Sequence, residues 1–140
     1  MLTKWDERFF KIALEAASWS KDPKTKVGAV LVSPDKREVS WGFNGFPKKL
    51  KDDRRLTSKS KNCFTVHAEL NAILNAKKDL IGWTLYVTKF PCHNCALAIS
   101  QAGIARLVCP PIDTNSKWKD SNLQALQIFE ESNIDVFVKK

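Results

Sequence analysis

"VHAELNAILNAKKDLIGWTLYVTKFPCHNCALAISQAGIARLVCP", residues 66–110, changes its hydrophobic period three times. Residues 67–77 carry Leu70, Ile73 and Leu74 at helical spacing, expected to anchor a helix in the core, and "TLYVTK" (84–89) is a β-rich run. A second helix pattern opens near Cys92 and stops at Gly103, and "RLVCP" (106–110) is again strand-like. Helices alternating with strands imply crossover connections, a partly parallel sheet and helices on both of its faces.

The flanks complete the pattern. Trp5, Phe9, Ile12, Ala16 and Trp19 lie at helical spacing within 4–19, a stripe expected to face the core. "KVGAVLVS" (26–33) and "EVSWGF" (38–43) are joined by the turn "PDKR" and read as an antiparallel hairpin, broken by "NGFP". A further helix is expected near 120–132, followed by the strand "DVFV". The predicted fold class is α/β: a three-layer α/β/α sandwich with a five-stranded mixed sheet, in a single domain spanning residues 1–140.

Composition narrows the partners. Among 140 residues, 44% are hydrophobic and 27% charged, as in ordinary globular proteins. No apolar run is long enough to span a bilayer, and "MLTKWDERFFKIAL" is an amphipathic pattern rather than a secretory signal, so a cytoplasmic protein is expected. The balance of 23 basic against 15 acidic residues gives +8, which favours anionic partners. Part of that excess sits between Asn44 and Val66, a stretch with Lys48, Lys49, Lys51, Arg54, Arg55, Lys59 and Lys61 and no clear periodicity. Its two readings, a solvated surface and a functional loop, stand level.

The chemistry concentrates at two predicted helix starts. His67 and Glu69 open one, and Cys92 and Cys95 the other. A catalytic zinc takes three protein ligands and leaves a position for water, which His67, Cys92 and Cys95 could supply. Two residues apart on a helix means about 200° of rotation, so His67 and Glu69 cannot share a helical face. In the first turn, however, side chains can project past the helix end, and Glu69 can then reach over a metal held by His67. Glu69 would be the proton shuttle, a task that a metal cannot perform itself. Each pair alone is ambiguous, since His67 and Glu69 could form an ordinary first turn and the cysteines a redox dithiol. His93 is assigned no ligand role, and Cys63 and Cys109 read as plain thiols.

In order, "HAE" (67–69) and "PCHNC" (91–95) match H-x-E…P-C-x-x-C, the signature of zinc nucleobase deaminases. The chain resembles the deoxycytidylate deaminases of the cytidine deaminase superfamily in "SKDPKTKVGAVLV" (20–32), "GFNGFP" (42–47), "VHAELNAILNA" (66–76), "TLYVTKFPCHNCA" (84–96) and "QAGIARLV" (101–108). The resemblance implies a cytidine deaminase-like fold, Zn²⁺ as cofactor, hydrolysis of dCMP to dUMP and ammonia, and a homo-oligomer, hexamer or dimer. It also implies substrate contacts from Asn44 and the Ala68 backbone, with Lys24 and Lys26 as phosphate contacts. Two departures stand out. Regulated members follow "NG-P" with a Gly-Cys segment that holds dCTP or dTTP; "KKLKDDRRLTSKSK" has neither residue, which leaves those effectors open. Many members carry a tyrosine after the fourth strand, where this chain has "CPPIDTNSKW" and no tyrosine; either Trp118 substitutes for it or the pocket admits a modified pyrimidine.

Three activities are compatible with these residues. The leading one acts on a free deoxycytidine nucleotide, with neither nucleic acid nor membrane as partner. The second keeps the chemistry on another cytosine or adenine substrate: a modified dCMP, a nucleoside, or a polynucleotide such as tRNA or single-stranded DNA tracking along the basic loop. The third is a non-catalytic, zinc-stabilised nucleic-acid-binding protein.

Overall fold

The computed structural model describes residues 1–140. Helices α1 (Lys4–Ser18), α2 (Ala68–Ala76), α3 (His93–Gln101) and α4 (Lys119–Glu131) surround strands β1 (Gly28–Val32), β2 (Val39–Phe43), β3 (Thr84–Val87), β4 (Arg106–Cys109) and β5 (Asp135–Val138). The sheet order is β2-β1-β3-β4-β5. β1 is antiparallel to β2 and β3, while β3, β4 and β5 run parallel, so the five-stranded mixed sheet is as expected. The parallel half follows from α3 and α4, whose crossovers return the chain in the same direction.

Alternation along the strands divides the core into two layers. Ala29 and Leu31 of β1, Leu85 and Val87 of β3 and Leu107 and Cys109 of β4 face α2, α3 and α4. Val30, Val32, Tyr86 and Val108 face the other way, against Phe9, Phe10 and Ala13 of α1.

Two helices bury other faces than their periodicity suggests. In α1 the buried line is Asp6, Phe9, Phe10, Ala13, Ala16 and Ala17. Trp5, Ile12 and Trp19 remain 48%, 41% and 46% exposed, so only Phe9 and Ala16 of the expected stripe are buried. The reason is close approach: a Cβ on Gly28 would lie 2.0 Å from Ala13 O and 2.5 Å from Ala17 N. Small residues must line that contact, and the tryptophans are turned outward. In α2 the buried residues are Ala68, Glu69 and Ala72, whereas Leu74 is 67% exposed and Leu70 and Ile73 are half-buried. This helix is held by small and polar groups. Ser40 Oγ donates to Ala72 O at 2.7 Å, Asn71 Nδ2 to Phe43 O at 2.7 Å, and Asn75 Nδ2 to Trp41 O at 3.3 Å.

A buried polar knot ties α1 to the sheet. Asp6, 2% exposed, forms a capping box with Thr3 and accepts from Tyr86 Oη at 2.7 Å and Arg106 Nη1 at 3.2 Å. Burial alone would raise the Asp6 pKa, but bonds from Arg106, the Thr3 N–H and Tyr86 outweigh it and hold the carboxyl at about 2, below its ordinary 3.8. A depressed carboxyl stabilises the fold above its unfolded pKa. Asp6 therefore contributes about 2 kcal/mol that is complete above about pH 4 and lost as pH falls towards about 2. Asp6→Asn should lower stability in urea by a similar amount at pH 7 and flatten the acid limb of the stability profile, a result checked by denaturation at several pH values.

Residues 44–66 hold two 3₁₀ turns, Arg54–Thr57 and Lys61–Cys63, where no periodicity was visible. A Gly45–Val66 bridge closes the neck of this loop. Inside it, Arg55 lies over the rings of Phe46 and Phe64 and pairs with Asp53 at 3.0 Å. Lys61 reaches back to Asp22 at 2.9 Å, both side chains largely buried. Lys48, Lys49, Lys51 and Lys59 point to solvent.

Candidate active site

His67 is the N-cap of α2, with extended backbone angles φ −68° and ψ 153°, and Glu69 is the second residue of the helix. Cys92 is the N-cap of α3, and Cys95 lies one turn in. His67 makes no side-chain bond to its own helix, and Cys92 Sγ faces His67 Nδ1 at 3.5 Å, so both groups point past the helix end. The spacing of two between His67 and Glu69 is thus accommodated at a helix start.

His67 Nδ1 lies 3.5 Å from Cys92 Sγ and 3.3 Å from Cys95 Sγ, and the three donor atoms fall within 4.8 Å of one another. Around a tetrahedral zinc with bonds of about 2.0–2.3 Å, such atoms would stand roughly 3.5–3.8 Å apart. Two sulfurs and one imidazole at these distances fit zinc, with one coordination position left over. His93 turns elsewhere, its Nδ1 3.0 Å from Ser121 Oγ. Cys63 is exposed, and Cys109 is buried in the core, where burial pushes its thiol up to about 12.

Electrostatics set the triad apart. A hydrogen bond from Cys95, with help from His67 and the Cys95 N–H, drives the Cys92 thiol far below its usual range. The same contact and burial drive Cys95 upward, so the two sulfurs titrate as a coupled pair. A divalent cation would hold both as thiolates. Its hydrogen bond with Cys92 raises the His67 pKa against the effect of burial. Glu69 is 4% exposed, and desolvation raises its pKa, suiting a group that must hold a proton and release it.

One cavity opens before this cluster. Of the residues predicted from sequence, His67, Ala68, Glu69, Cys92, Asn44, Lys24 and Trp118 line it; Lys26 does not and Cys95 is fully buried behind it. Asn44 is 7% exposed, and its amide is engaged within the chain, Oδ1 accepting from Val27 N at 2.9 Å and Nδ2 donating to Thr25 O at 2.9 Å. Sequence reasoning missed Lys89, Lys117 and Asn122, which also line the cavity. Lys89 stands next to "FPC" and could have been suspected from that position. Lys117 and Asn122 lie 28 and 33 residues beyond Lys89 and come to the cavity only because α4 packs against α3.

The profile of the cytidine and deoxycytidylate deaminase zinc-binding region matches residues 3–110. The chain belongs to this zinc-dependent deaminase family. The deaminase is 43% identical over 139 residues to a protein of Aliivibrio fischeri described as an uncharacterized deaminase in the luxG 3′ region, covering 97% of this chain and 94% of that one. It is 40% identical over 127 residues to the deoxycytidylate deaminase of Homo sapiens, covering 85% and 69% respectively. Its fold is that of the dCMP deaminase from cyanophage S-TIM5, solved with dCMP and dUMP, with a TM-score of 0.79, 22% identity and 99% of each chain covered. The expected fold, enzyme class and zinc dependence agree with these relationships.

Proposed function

We propose that this deaminase converts dCMP to dUMP, with zinc held by His67, Cys92 and Cys95 and with Glu69 as the proton carrier. The observation that carries this reading is one cavity that unites a zinc-competent triad, a buried carboxylate and cationic walls. Lys24, Lys89 and Lys117 surround it from three separate segments, a geometry suited to the 5′-phosphate of a nucleotide. Lys61 also lines it but already pairs with Asp22. Lys26, outside the cavity, is no longer favoured as a phosphate contact.

A zinc ion bound there supplies Lewis acidity that makes water nucleophilic near neutral pH. Glu69 accepts a proton from the attacking water and delivers it to the ring nitrogen. The water oxygen bonds to C4; Glu69 then takes the remaining proton from the C4 hydroxyl and passes it to the amine, so that the C4 carbonyl forms as the C4–N4 bond breaks and ammonia leaves. The Ala68 backbone and Asn44 orient the base, Asn44 chiefly through the 25–27 segment that its amide fixes. Trp118, half-buried on the cavity wall, covers the bound nucleotide in place of a tyrosine.

The same reading takes residues 1–140 as one deaminase domain acting in the cytoplasm on the free nucleotide pool. Self-assembly into a dimer or hexamer fits the exposed Trp5, Ile12 and Trp19 on α1. No helix is long and apolar enough to cross a membrane.

Ammonia release from dCMP, deoxycytidine, cytidine and single-stranded oligonucleotides, each with and without dCTP or dTTP, tests the assignment. dCMP should exceed deoxycytidine in kcat/KM by on the order of 10²-fold, the worth of two charge-assisted contacts. Lys117→Ala should remove about tenfold of that preference, mainly through KM. Release from the oligonucleotide alone would refute the nucleotide reading.

A further inference from the structure

Asn122 is the buried polar side chain of the cavity that the chemistry above leaves without a task. It lies in the first turn of α4 and is 4% exposed, yet it lines the cavity. Its Nδ2 donates to two carbonyls, Phe90 O at 3.2 Å and Pro91 O at 2.9 Å. Both amide protons are thereby used. The orientation is fixed as well, because a flipped amide would set its oxygen against two other oxygens. Oδ1 has no donor within the chain, and no side-chain oxygen is sealed away without a partner, so this atom opens on the cavity. It is an acceptor that the chain leaves to whatever enters the cavity.

The place of that acceptor selects the ligand group. The two carbonyls that fix it belong to the residues directly before Cys92, so Oδ1 enters beside the metal ligands. Lys24 and Asn44, by contrast, come from the segments flanking the β1–β2 hairpin. Beside the reacting carbon, cytosine offers one donor, its exocyclic amine. We propose that Asn122 Oδ1 accepts a hydrogen bond from this amino group and holds it as it leaves. The bond strengthens during reaction: as the amine takes the proton carried by Glu69 it becomes cationic, and charge-assisted hydrogen bonds are about twice as strong as neutral ones. Such an interaction, stronger in the transition state than in the ground state, raises kcat. This role rests on the dCMP reading above.

The test separates contact from scaffolding with a ligand that lacks the amine. In zinc-loaded Glu69→Gln protein, whose turnover is slow enough for binding to be read first, dissociation constants are measured for dCMP and for the 2-pyrimidinone deoxynucleotide, which keeps sugar and phosphate. Adding Asn122→Ala should reduce the dCMP preference by about tenfold and leave pyrimidinone binding nearly unchanged. With Glu69 intact, Asn122→Ala should lower kcat on the order of 10²-fold at full zinc content. Equal weakening of both ligands would make Asn122 a scaffold and overturn the proposal. So would equal binding of the two ligands to the Glu69→Gln protein with Asn122 in place, a measurement independent of how the Ala variant folds. Wild-type protein that releases no ammonia from dCMP overturns the dCMP reading and this role together; turnover of dCMP with unaltered ratios overturns only the role of Asn122.

Discussion

Replacing Glu69 with Gln lowers kcat by on the order of 10²–10⁴-fold while the protein keeps its full zinc content. The two side chains have the same shape, so the core around residue 69 stays packed and only the proton-carrying capacity is lost. The donor set contains His67, Cys92 and Cys95 without the carboxylate, and zinc should therefore survive even Glu69→Ala. Burial raises the Glu69 pKa above the ordinary carboxylate value. Ammonia release and metal analysis on the same preparation decide the matter. Loss of zinc together with activity would make Glu69 a ligand and remove its assignment as proton carrier.

The second large effect comes from a residue that touches neither metal nor substrate. A Cβ at Gly42 would lie 2.5 Å from Ala72 N and 2.7 Å from Ala68 O, both backbone atoms of α2, and 2.8 Å from Asn71 Cβ. Backbone cannot rotate away, so Gly42→Ala must lift the helix from β2 and carry His67 and Glu69 with it. We expect a loss of about 3 kcal/mol in urea unfolding, at the upper end for overpacking, together with weakened zinc binding in a chelator competition. Gly28→Ala makes the informative comparison. Its clash, 2.0 Å from Ala13 O, lies on the opposite face of the sheet against α1. That variant should be at least as unstable, but the fraction that folds should hold zinc normally. Equal zinc binding in both folded variants would mean that α2 is not positioned through its seat on β2.

What could be read from the sequence and what could not differ in physical kind. The alternation from α2 to β4 was legible because each crossover repeats a period, and the metal-competent triad was legible because few residue types bind zinc. His67, Glu69, Cys92 and Cys95 needed no tertiary knowledge beyond helix starts. The buried faces of α1 and α2 were misjudged because close packing reverses the usual sign. Where Gly28 and Gly42 let a helix approach the sheet, alanines face inward, and the larger Trp5, Ile12, Trp19 and Leu74 point out. A hydrophobicity pattern weights size, not proximity. Asn122 was hidden for another reason. A lone asparagine on an amphipathic helix has no periodic signature, and its meaning depends on carbonyls about thirty positions earlier in the chain.

The cavity is assembled from two kinds of segment. His67, Glu69, Cys92 and Cys95 belong to the first turns of helices seated on the sheet, whereas Lys24, Lys61, Lys89 and Lys117 stand on the connections around them. Loops accept substitution and insertion far more readily than packed helix ends. The bond-breaking apparatus and the features that choose what enters can therefore drift at different speeds during descent. A lineage could acquire a new nucleotide diet by rewriting its connections, while the inherited reaction continued beneath them.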